Sequence, residues 1–266
     1  MPSDLPSPGL GTSGNTDFEE CAETVREAIE MGYRHVDTAQ MYDNEEAVGE
    51  GIERADVDRE EVFVATKILP GNLAPGDVTE TIHDSLDRLG LDQVDLLYVH
   101  WPMRAYEAAE TLPAFDELRE EGLTRHVGVS NFTPELLDEA REILDAPIFA
   151  HQVECHPWLQ QDELRKYARV YDHHLVAYAP IMQGRADEEP VLVEIAEKHD
   201  ATPYQVALAW LESLESVVSI PKGTGDHVRE NWKATEIDLD AEDRERIAAI
   251  ETEKRLVDPD GAPWNR

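Results

Sequence analysis

The sequence has very little cysteine and no long hydrophobic run. Cys21 and Cys155 are the only cysteines in 266 residues, which excludes a disulfide framework and predicts two free, buried thiols. No apolar stretch approaches the roughly 20 residues that cross a bilayer, and the first residues lack a basic segment followed by an apolar one. We therefore expect neither a membrane span nor a targeting segment, and a cytoplasmic location.

Positive charge is also scarce. The chain has 23 lysines and arginines against 58 acidic residues, which gives a formal net charge of −35. The acidic residues are spread along the whole sequence, and this pattern predicts a solvated acidic surface that repels DNA, RNA and anionic lipids. We expect no nucleic-acid or membrane partner. Lysine occurs only at positions 67, 166, 198, 222, 233 and 254, a composition that resembles proteins of salt-loving archaea and bacteria.

Short, β-branched, nearly apolar runs alternate with helical patterns along the chain, as expected for parallel strands that are covered on both faces. The spacing of about 30 residues fits one strand, one helix and two connections. The length is close to the roughly 250 residues of an eight-unit barrel, so we predict an α/β fold, a single (β/α)8 TIM barrel domain over residues 1–266. The predicted strands are 34–37, 62–67, 94–100, 126–130, 149–153, 175–178 and 217–222, with a strand or bare lead-in within 5–12 and an irregular tail over about 255–266.

Several predicted helices begin with a residue that is typical of an N-cap. Asp17, Asn44, Thr133 and Thr202 precede helical patterns, and proline follows the last two at the first helical position. We expect each of these side chains to accept a hydrogen bond from the first turn of its helix.

A polar residue able to carry chemistry closes most of the strand patterns. Because the carboxyl ends of barrel strands face one cleft, Asp37, Lys67 and His100 should be neighbours there, with Tyr42 in the loop after Asp37. The lysine ammonium would lower the phenol pKa from about 10, while the carboxylate keeps the lysine charged. Such a phenol can protonate a carbonyl oxygen as hydride reaches the carbon, and His100 can hydrogen-bond the same oxygen. The pattern predicts carbonyl reduction at the C-terminal rim of the barrel.

The remaining strand ends suit a flat cofactor that carries an amide and phosphates. Ser130, Asn131 and Gln152 offer donors and acceptors to a carboxamide, and Tyr178 offers a ring face for a pyridine. Lys222 is followed by a glycine and a hydroxyl residue just before a helix, where phosphate sites of such barrels are built. No Gly-x-Gly-x-x-Gly follows a strand, so a Rossmann domain is not implied.

Two other enzyme classes remain as alternatives at this point. His100 and Asp37 could be metal ligands of a hydrolase, although no His-x-His or His-Glu-x-x-His spacing accompanies them and Lys67 would repel a divalent ion. Lys67 could also form a Schiff base in an aldolase. The combination of Asp37, Tyr42, Lys67 and His100 favours a carbonyl reductase and predicts that no metal is bound.

Seven ordered motifs resemble those of the aldo-keto reductase superfamily, and most closely its small microbial members similar to 2,5-diketo-gluconate reductases. The resemblance covers almost the whole chain. The motifs are GLGT at 9–12, GYRHVDTA at 32–39, YDNE at 42–45, VDLL leading to HWP at 94–102, VSNF at 129–132, QVECHP at 152–157 and IPK at 220–222.

The resemblance implies a catalytic tetrad of Asp37, Tyr42, Lys67 and His100, with Tyr42 as the general acid and no metal. It implies that Met41, Trp101 and the C-terminal tail line the substrate pocket. The implied substrates are small aldehydes, dicarbonyls or keto sugars. The cofactor-binding residues that it implies are Thr12, Ser130, Asn131, Gln152, Tyr178, Lys222, Thr224, Glu230 and Asn231.

The resemblance also implies NADP(H) as the preferred cofactor, with NAD(H) as the alternative. His227 stands where the family often has an arginine that grips the 2′-phosphate, and Arg229 lies on another helix face. Ser13 replaces an aromatic residue that often follows the Gly-x-Gly-Thr run, which predicts a wider pocket. We expect a monomer. The alternative within the superfamily is an NADP-binding regulatory subunit with little turnover.

The acidic composition generates a prediction about salt. We expect the thermal unfolding midpoint to rise as KCl increases from about 0.1 to 3 M, because the Debye length shortens from about 10 Å to less than 3 Å and screens the self-repulsion. Circular dichroism melts across that range provide the measurement. A midpoint that stays constant over the range would contradict the prediction.

Overall fold

The computed structural model describes residues 5–265 and contains an eight-stranded parallel sheet with strand order β1 to β8. The first and last strands are joined, since the Gly9 N–H donates to the Ser219 carbonyl over 2.8 Å and the Gly11 N–H donates to the Pro221 carbonyl over 3.0 Å. The predicted (β/α)8 barrel is thus confirmed. The strands are β1 Leu10–Gly11, β2 His35–Asp37, β3 Phe63–Ile68, β4 Val94–Val99, β5 Thr124–Ser130, β6 Ile148–Glu154, β7 His174–Tyr178 and β8 Val217–Ser219.

Helices alternate with the strands and bury their apolar faces against the sheet. In α3, the helical-spacing residues Val78, Ile82, Leu86 and Leu89 are all buried, as their periodicity predicts. Two helices lie between β7 and β8. The helices are α1 Phe18–Met31, α2 Glu45–Arg54, α3 Pro75–Leu89, α4 Ala108–Glu120, α5 Pro134–Ile143, α6 Asp162–Tyr171, α7 Pro190–His199, α8 Pro203–Glu212, α9 Asp226–Trp232 and α10 Ala241–Ala248.

Three of the four predicted N-caps are confirmed. Asp17, Thr133 and Thr202 each accept a hydrogen bond from the first turn of their helix, and Thr202 forms a full capping box with Gln205. The prediction for Asn44 is wrong, because its side chain makes no cap bond to α2. The Asn44 amide instead donates hydrogen bonds to the Thr12 and Asn15 carbonyls, which are distant in the sequence.

Some polar residues do not lie at the strand positions that their patterns predict. The predicted strand 217–222 stops at Ser219, because Pro221 has no N–H to donate to the ladder. Gln152 lies inside β6, whereas His100 is the first residue after β4. All of these residues still lie toward the carboxyl ends of the strands.

The two cysteines are free and buried, as predicted. Burial raises the pKa of Cys21 to about 11 and that of Cys155 to about 12, so both remain protonated thiols at neutral pH. Within residues 5–265, none of the helices is both long and apolar enough to cross a membrane.

Aromatic and imidazole rings fill the amino-terminal end of the barrel. The His126 ring stacks on Phe149 at 4.0 Å between centroids, Phe63 stacks on Phe149 at 5.9 Å, and His35 meets Phe63 edge-on. The His35 side chain is completely buried, and burial lowers its pKa to about 4. Neutral His35 is therefore the form that the folded barrel accommodates.

This burial predicts a loss of stability in acid. An unfolded histidine binds a proton below about pH 6.5, whereas His35 in the fold resists protonation down to about pH 4, so the free energy of unfolding should fall across that interval. Between these pH values, we expect the free energy of unfolding of His35→Leu to fall by about 3 kcal/mol less than that of the wild type. Denaturant unfolding at fixed high salt measures the difference.

The exposed His83 on α3 provides the control, since His83→Leu should leave the pH dependence as it is in the wild type. Parallel stability curves for the wild type and His35→Leu would show that His35 is not responsible.

Candidate active site

A buried ion pair lies between β2 and β3. The Lys67 Nζ atom is 2.5 Å from the Asp37 Oδ1 atom and donates to the Thr38 carbonyl over 2.7 Å. The same ammonium lies 3.5 Å from the Tyr42 hydroxyl oxygen. The Lys67 and Asp37 side chains are almost completely shielded from solvent. The charge on the lysine is therefore held within reach of the phenol.

The electrostatics of this group differ in one respect from the prediction. Burial disfavours the Lys67 ammonium, but Asp37 and Tyr42 more than offset it, and the pKa of Lys67 is raised. Burial raises the pKa of Tyr42 above its ordinary value, and the attraction of the Lys67 charge for the phenolate opposes this rise without reversing it. The predicted net lowering of the phenol pKa is wrong. Tyr42 is a protonated phenol at neutral pH, with an ammonium ready to stabilise its anion.

Two amide side chains fix the loop that carries Tyr42. Asn44 accepts from the Thr38 hydroxyl and donates to the Thr12 and Asn15 carbonyls. Gln40 accepts from the Leu69 N–H over 2.8 Å. Neither role is predictable from local sequence, although Asn44 lies inside the YDNE motif, because most of the partners are distant in the sequence. The loop is thus anchored on both sides of the phenol.

His100 completes the group. Its ring meets the Tyr42 ring nearly perpendicularly, with 5.9 Å between centroids. Burial, followed by the nearby Lys67 charge, lowers the pKa of His100 well below its usual range. A neutral imidazole at this position can donate a hydrogen bond without adding a second positive charge.

The residues predicted to hold a carboxamide form a second group that is joined to the first. The Gln152 Nε2 atom donates to Asp37 Oδ2 over 2.8 Å, and the Ser130 hydroxyl donates to the Gln152 carbonyl over 2.9 Å. The Tyr178 hydroxyl donates to Asn131 Oδ1 over 2.9 Å, while the Asn131 amide donates to the His100 carbonyl. One hydrogen-bonded network therefore contains both groups.

With the exception of the enclosed Lys67, both groups line one cavity of about 1280 Å³ at the carboxyl ends of the strands. Met41 and Trp101 also line it, and Trp101 is at once buried and in contact with Trp264 of the tail, with 5.6 Å between ring centroids. The tail contributes Val257, Pro259, Asp260 and Gly261 to the wall. A cavity of this size and lining can hold an extended ligand.

The residues predicted to bind the phosphate end are only partly in the cavity wall. Thr12 and Lys222 line the cavity, whereas Thr224, Glu230 and Asn231 are not among its lining residues. The Asn231 amide donates to the Lys222 carbonyl over 3.3 Å, so α9 is tied to the loop that carries Lys222. Of the three residues outside the wall, Asn231 is thus in direct contact with a residue that lines the cavity.

The donor set fits a nicotinamide cofactor better than a metal ion. Amide, hydroxyl and aromatic groups line the cavity beside the phenol, and a lysine lies at one edge. Within the described residues, no group of three or more His, Cys, Asp or Glu side chains could hold a metal ion.

A closed barrel with a phenol, a carboxylate and an imidazole in one amide-lined cavity, and an ammonium enclosed beside the phenol, defines a carbonyl-reducing oxidoreductase. The chain belongs to the aldo/keto reductase family, which matches residues 8–252. It reduces carbonyl groups with a nicotinamide cofactor. This membership favours the reductase over the hydrolase and aldolase alternatives, and the comparisons give no support to a regulatory subunit.

Individual relatives cover nearly the full chain. It is 40% identical over 261 residues to the methylglyoxal reductase DkgB of Escherichia coli O157:H7, with 97% of each sequence covered. It is 37% identical over 254 residues to the glyoxal reductase of Bacillus subtilis strain 168, which covers 95% of this chain and 91% of that protein.

Solved structures agree with the fold. An aldo-keto reductase from a Medee basin deep-sea metagenome library superposes with a TM-score of 0.92 at 36% identity, covering 96% of this chain and 95% of that one. An aldo-keto reductase in complex with NADPH gives a TM-score of 0.89 at 32% identity, covering 97% and 88%.

Proposed function

We propose that this chain is an NADPH-dependent reductase of small aldehydes and α-dicarbonyls such as methylglyoxal, acting at the C-terminal rim of the barrel. The observation that carries the proposal is the enclosed Lys67 ammonium, which lies 2.5 Å from Asp37 and 3.5 Å from the Tyr42 hydroxyl. Asp37 and Tyr42 line the same cavity as the amide groups. The names of the methylglyoxal and glyoxal reductases support the substrate class.

Tyr42 is the proposed general acid. When bound, the nicotinamide supplies hydride to the carbonyl carbon. Tyr42 is protonated at neutral pH, and its proton moves to the carbonyl oxygen as negative charge develops there. Lys67 stabilises the phenolate that remains, Asp37 holds Lys67 charged, and neutral His100 orients the carbonyl oxygen by a hydrogen bond.

The cofactor would be held at both ends. Ser130, Asn131 and Gln152 would hold the carboxamide, with the Tyr178 ring against the nicotinamide. The other residues proposed for the cofactor, toward its phosphates and adenosine, are Thr12, Lys222, Thr224, Glu230 and Asn231. Met41, Trp101 and the tail would contact the substrate.

Lys222 supports NADPH as the preferred cofactor. It is exposed at the cavity edge, and within residues 5–265 its ammonium has no ion-pair partner. In a chain with a net charge of −35, an unpaired cation beside the cavity is a specific attraction for a phosphate. His227, which stands where the family often has an arginine, is also exposed. It lies on the turn of α9 that faces Gly223.

We also propose that the protein is a single domain and a monomer in the cytoplasm of a salt-loving organism. The acidic composition supports the salt-loving origin, and the two free, buried thiols are typical of a reducing compartment.

Replacing Tyr42 tests the proposed general acid. We expect Tyr42→Phe to reduce kcat/KM for methylglyoxal by about 10²- to 10⁴-fold, because the proton donor is lost while the cofactor residues stay intact. Steady-state oxidation of NADPH at high salt measures the loss, and cofactor fluorescence titration should give an unchanged Kd.

Tyr106→Phe is the matched control, since it removes a buried phenol oxygen outside the cavity wall and should preserve turnover. Retained turnover in Tyr42→Phe would rule out the assigned role.

Replacing Lys222 tests the cofactor preference. We expect kcat/KM to favour NADPH over NADH in the wild type, and Lys222→Gln to reduce that ratio by about tenfold, since an ion pair with phosphate is lost. Lys166→Gln on α6 removes the same charge from an exposed site away from the cavity and should leave the ratio unchanged. A tenfold preference of the wild type for NADH would overturn the assignment.

A further inference from the structure

Glu154 is a buried carboxylate in the QVECHP motif to which the reaction assigns no role. It is the last residue of β6, and its side chain is fully shielded from solvent. A carboxylate without water is strongly destabilising unless hydrogen bonds replace the solvent. The identity of its donors therefore shows what the residue holds in place.

Two of the three donors to Glu154 belong to the C-terminal tail. The Leu256 N–H donates to Oε1 over 2.6 Å, and the Val257 N–H donates to Oε2 over 2.9 Å. The third is His156 Nε2, 2.9 Å from Oε1, whose ring is also fully buried. Hydrogen bonds from backbone amides to a charged acceptor are among the stronger ones in proteins.

The bonded amides lie directly at the cavity wall. Val257 itself lines the cavity, as do Pro259, Asp260 and Gly261 just beyond it. The far end of this segment is held separately, because Trp264 contacts Trp101. Residues 256–261 thus form a strap along the cavity wall that is fixed at both ends. Glu154 holds its amino-terminal end.

Few other contacts could replace Glu154 at that end. Residues 251–254 belong to the described part of the chain, are exposed, and form neither helix nor strand. Lys254 links them to the barrel, because its N–H donates to the Trp158 carbonyl over 2.7 Å and its ammonium lies 5.4 Å from the centroid of the Trp158 ring. The neighbouring Leu256 side chain packs against the core. Losing the Glu154 bonds would remove the hydrogen bonds of the Leu256 and Val257 amides and so weaken the attachment of this end of the strap.

We propose that Glu154 is a positioning residue that sets substrate specificity by fixing residues 256–261 as a wall of the cavity. The inference rests on the proposed function of that cavity. Glu154 does not touch the reacting atoms in this role. It acts through the position of Val257 and the residues that follow.

Glu154→Gln tests the proposal, because glutamine has nearly the same shape but turns an NH₂ group toward one of the two backbone N–H donors. Trypsin cleavage after Lys254 or Arg255, followed by mass spectrometry, should be about tenfold faster or more, since cleavage requires the strap to open.

The kinetic readout is the discrimination between substrates of different size. We expect KM for methylglyoxal to rise about fivefold with kcat nearly unchanged, and the preference for methylglyoxal over 2-naphthaldehyde to fall by a similar factor. An effect on folding alone would not separate KM from kcat in this way.

Asp95→Asn is the matched control. Asp95 is a buried carboxylate that likewise accepts a backbone N–H, from Val64, but it lies near the amino-terminal end of β4. Its replacement should lower global stability without changing the cleavage rate at the strap or the substrate preference. Glu154→Asp keeps the charge while shortening the reach, so it provides a second variant if Glu154→Gln does not fold.

The outcomes distinguish this inference from the proposed function. An active wild type whose Glu154 variants keep both slow cleavage and the substrate preference would overturn the inference and leave the function intact. If the wild type does not reduce carbonyls, the proposed function fails, and with it the role in specificity. The cleavage rate would still decide whether Glu154 holds the strap.

Discussion

The buried Lys67–Asp37 pair is the interaction on which the site depends. Removing two charges from water costs several kcal/mol per ion unless each finds partners, and here the ammonium has a carboxylate, a backbone carbonyl and a phenol. The carboxylate comes from β2, and the carbonyl and the phenol come from the loop that follows it, whereas Lys67 itself lies on the adjacent β3. The pair therefore fixes the relative position of the phenol and the strand ends, and any loss of one partner leaves an unbalanced charge inside the barrel.

The second carboxylate oxygen of Asp37 links the proton-transfer group to the cofactor group. Gln152 donates to it from β6, on another part of the barrel, and Ser130 and Asn131 are joined to Gln152 in turn. A single carboxylate thus orients the ammonium with one oxygen and an amide of the predicted nicotinamide site with the other. The geometry of proton transfer and that of cofactor binding cannot be adjusted independently.

The sequence predicts the barrel and the four-residue cluster well because these depend on local patterns. Apolar strands, helical periodicity and polar strand ends are all visible over a few residues. The features that the sequence does not predict depend on contacts between distant residues or on the extent of burial. Asn44 is drawn away from its helix by the Thr12 and Asn15 carbonyls, the Tyr42 pKa is decided by burial that no motif reports, and Glu154 meets an amide 102 positions further along the chain.

The buried thiols and scarce lysines have a consequence for the proposed reduction of α-dicarbonyls. Such compounds condense with thiolates, amines and guanidines and thereby damage proteins by glycation. Both cysteines here are shielded and protonated, Lys67 is enclosed and held as an ammonium, and many arginines, such as Arg26 and Arg54, are engaged in ion pairs with acids. The two thiols and the Lys67 amine are consequently withheld from reaction with the proposed substrates, whereas the exposed Lys222 at the cavity edge is not.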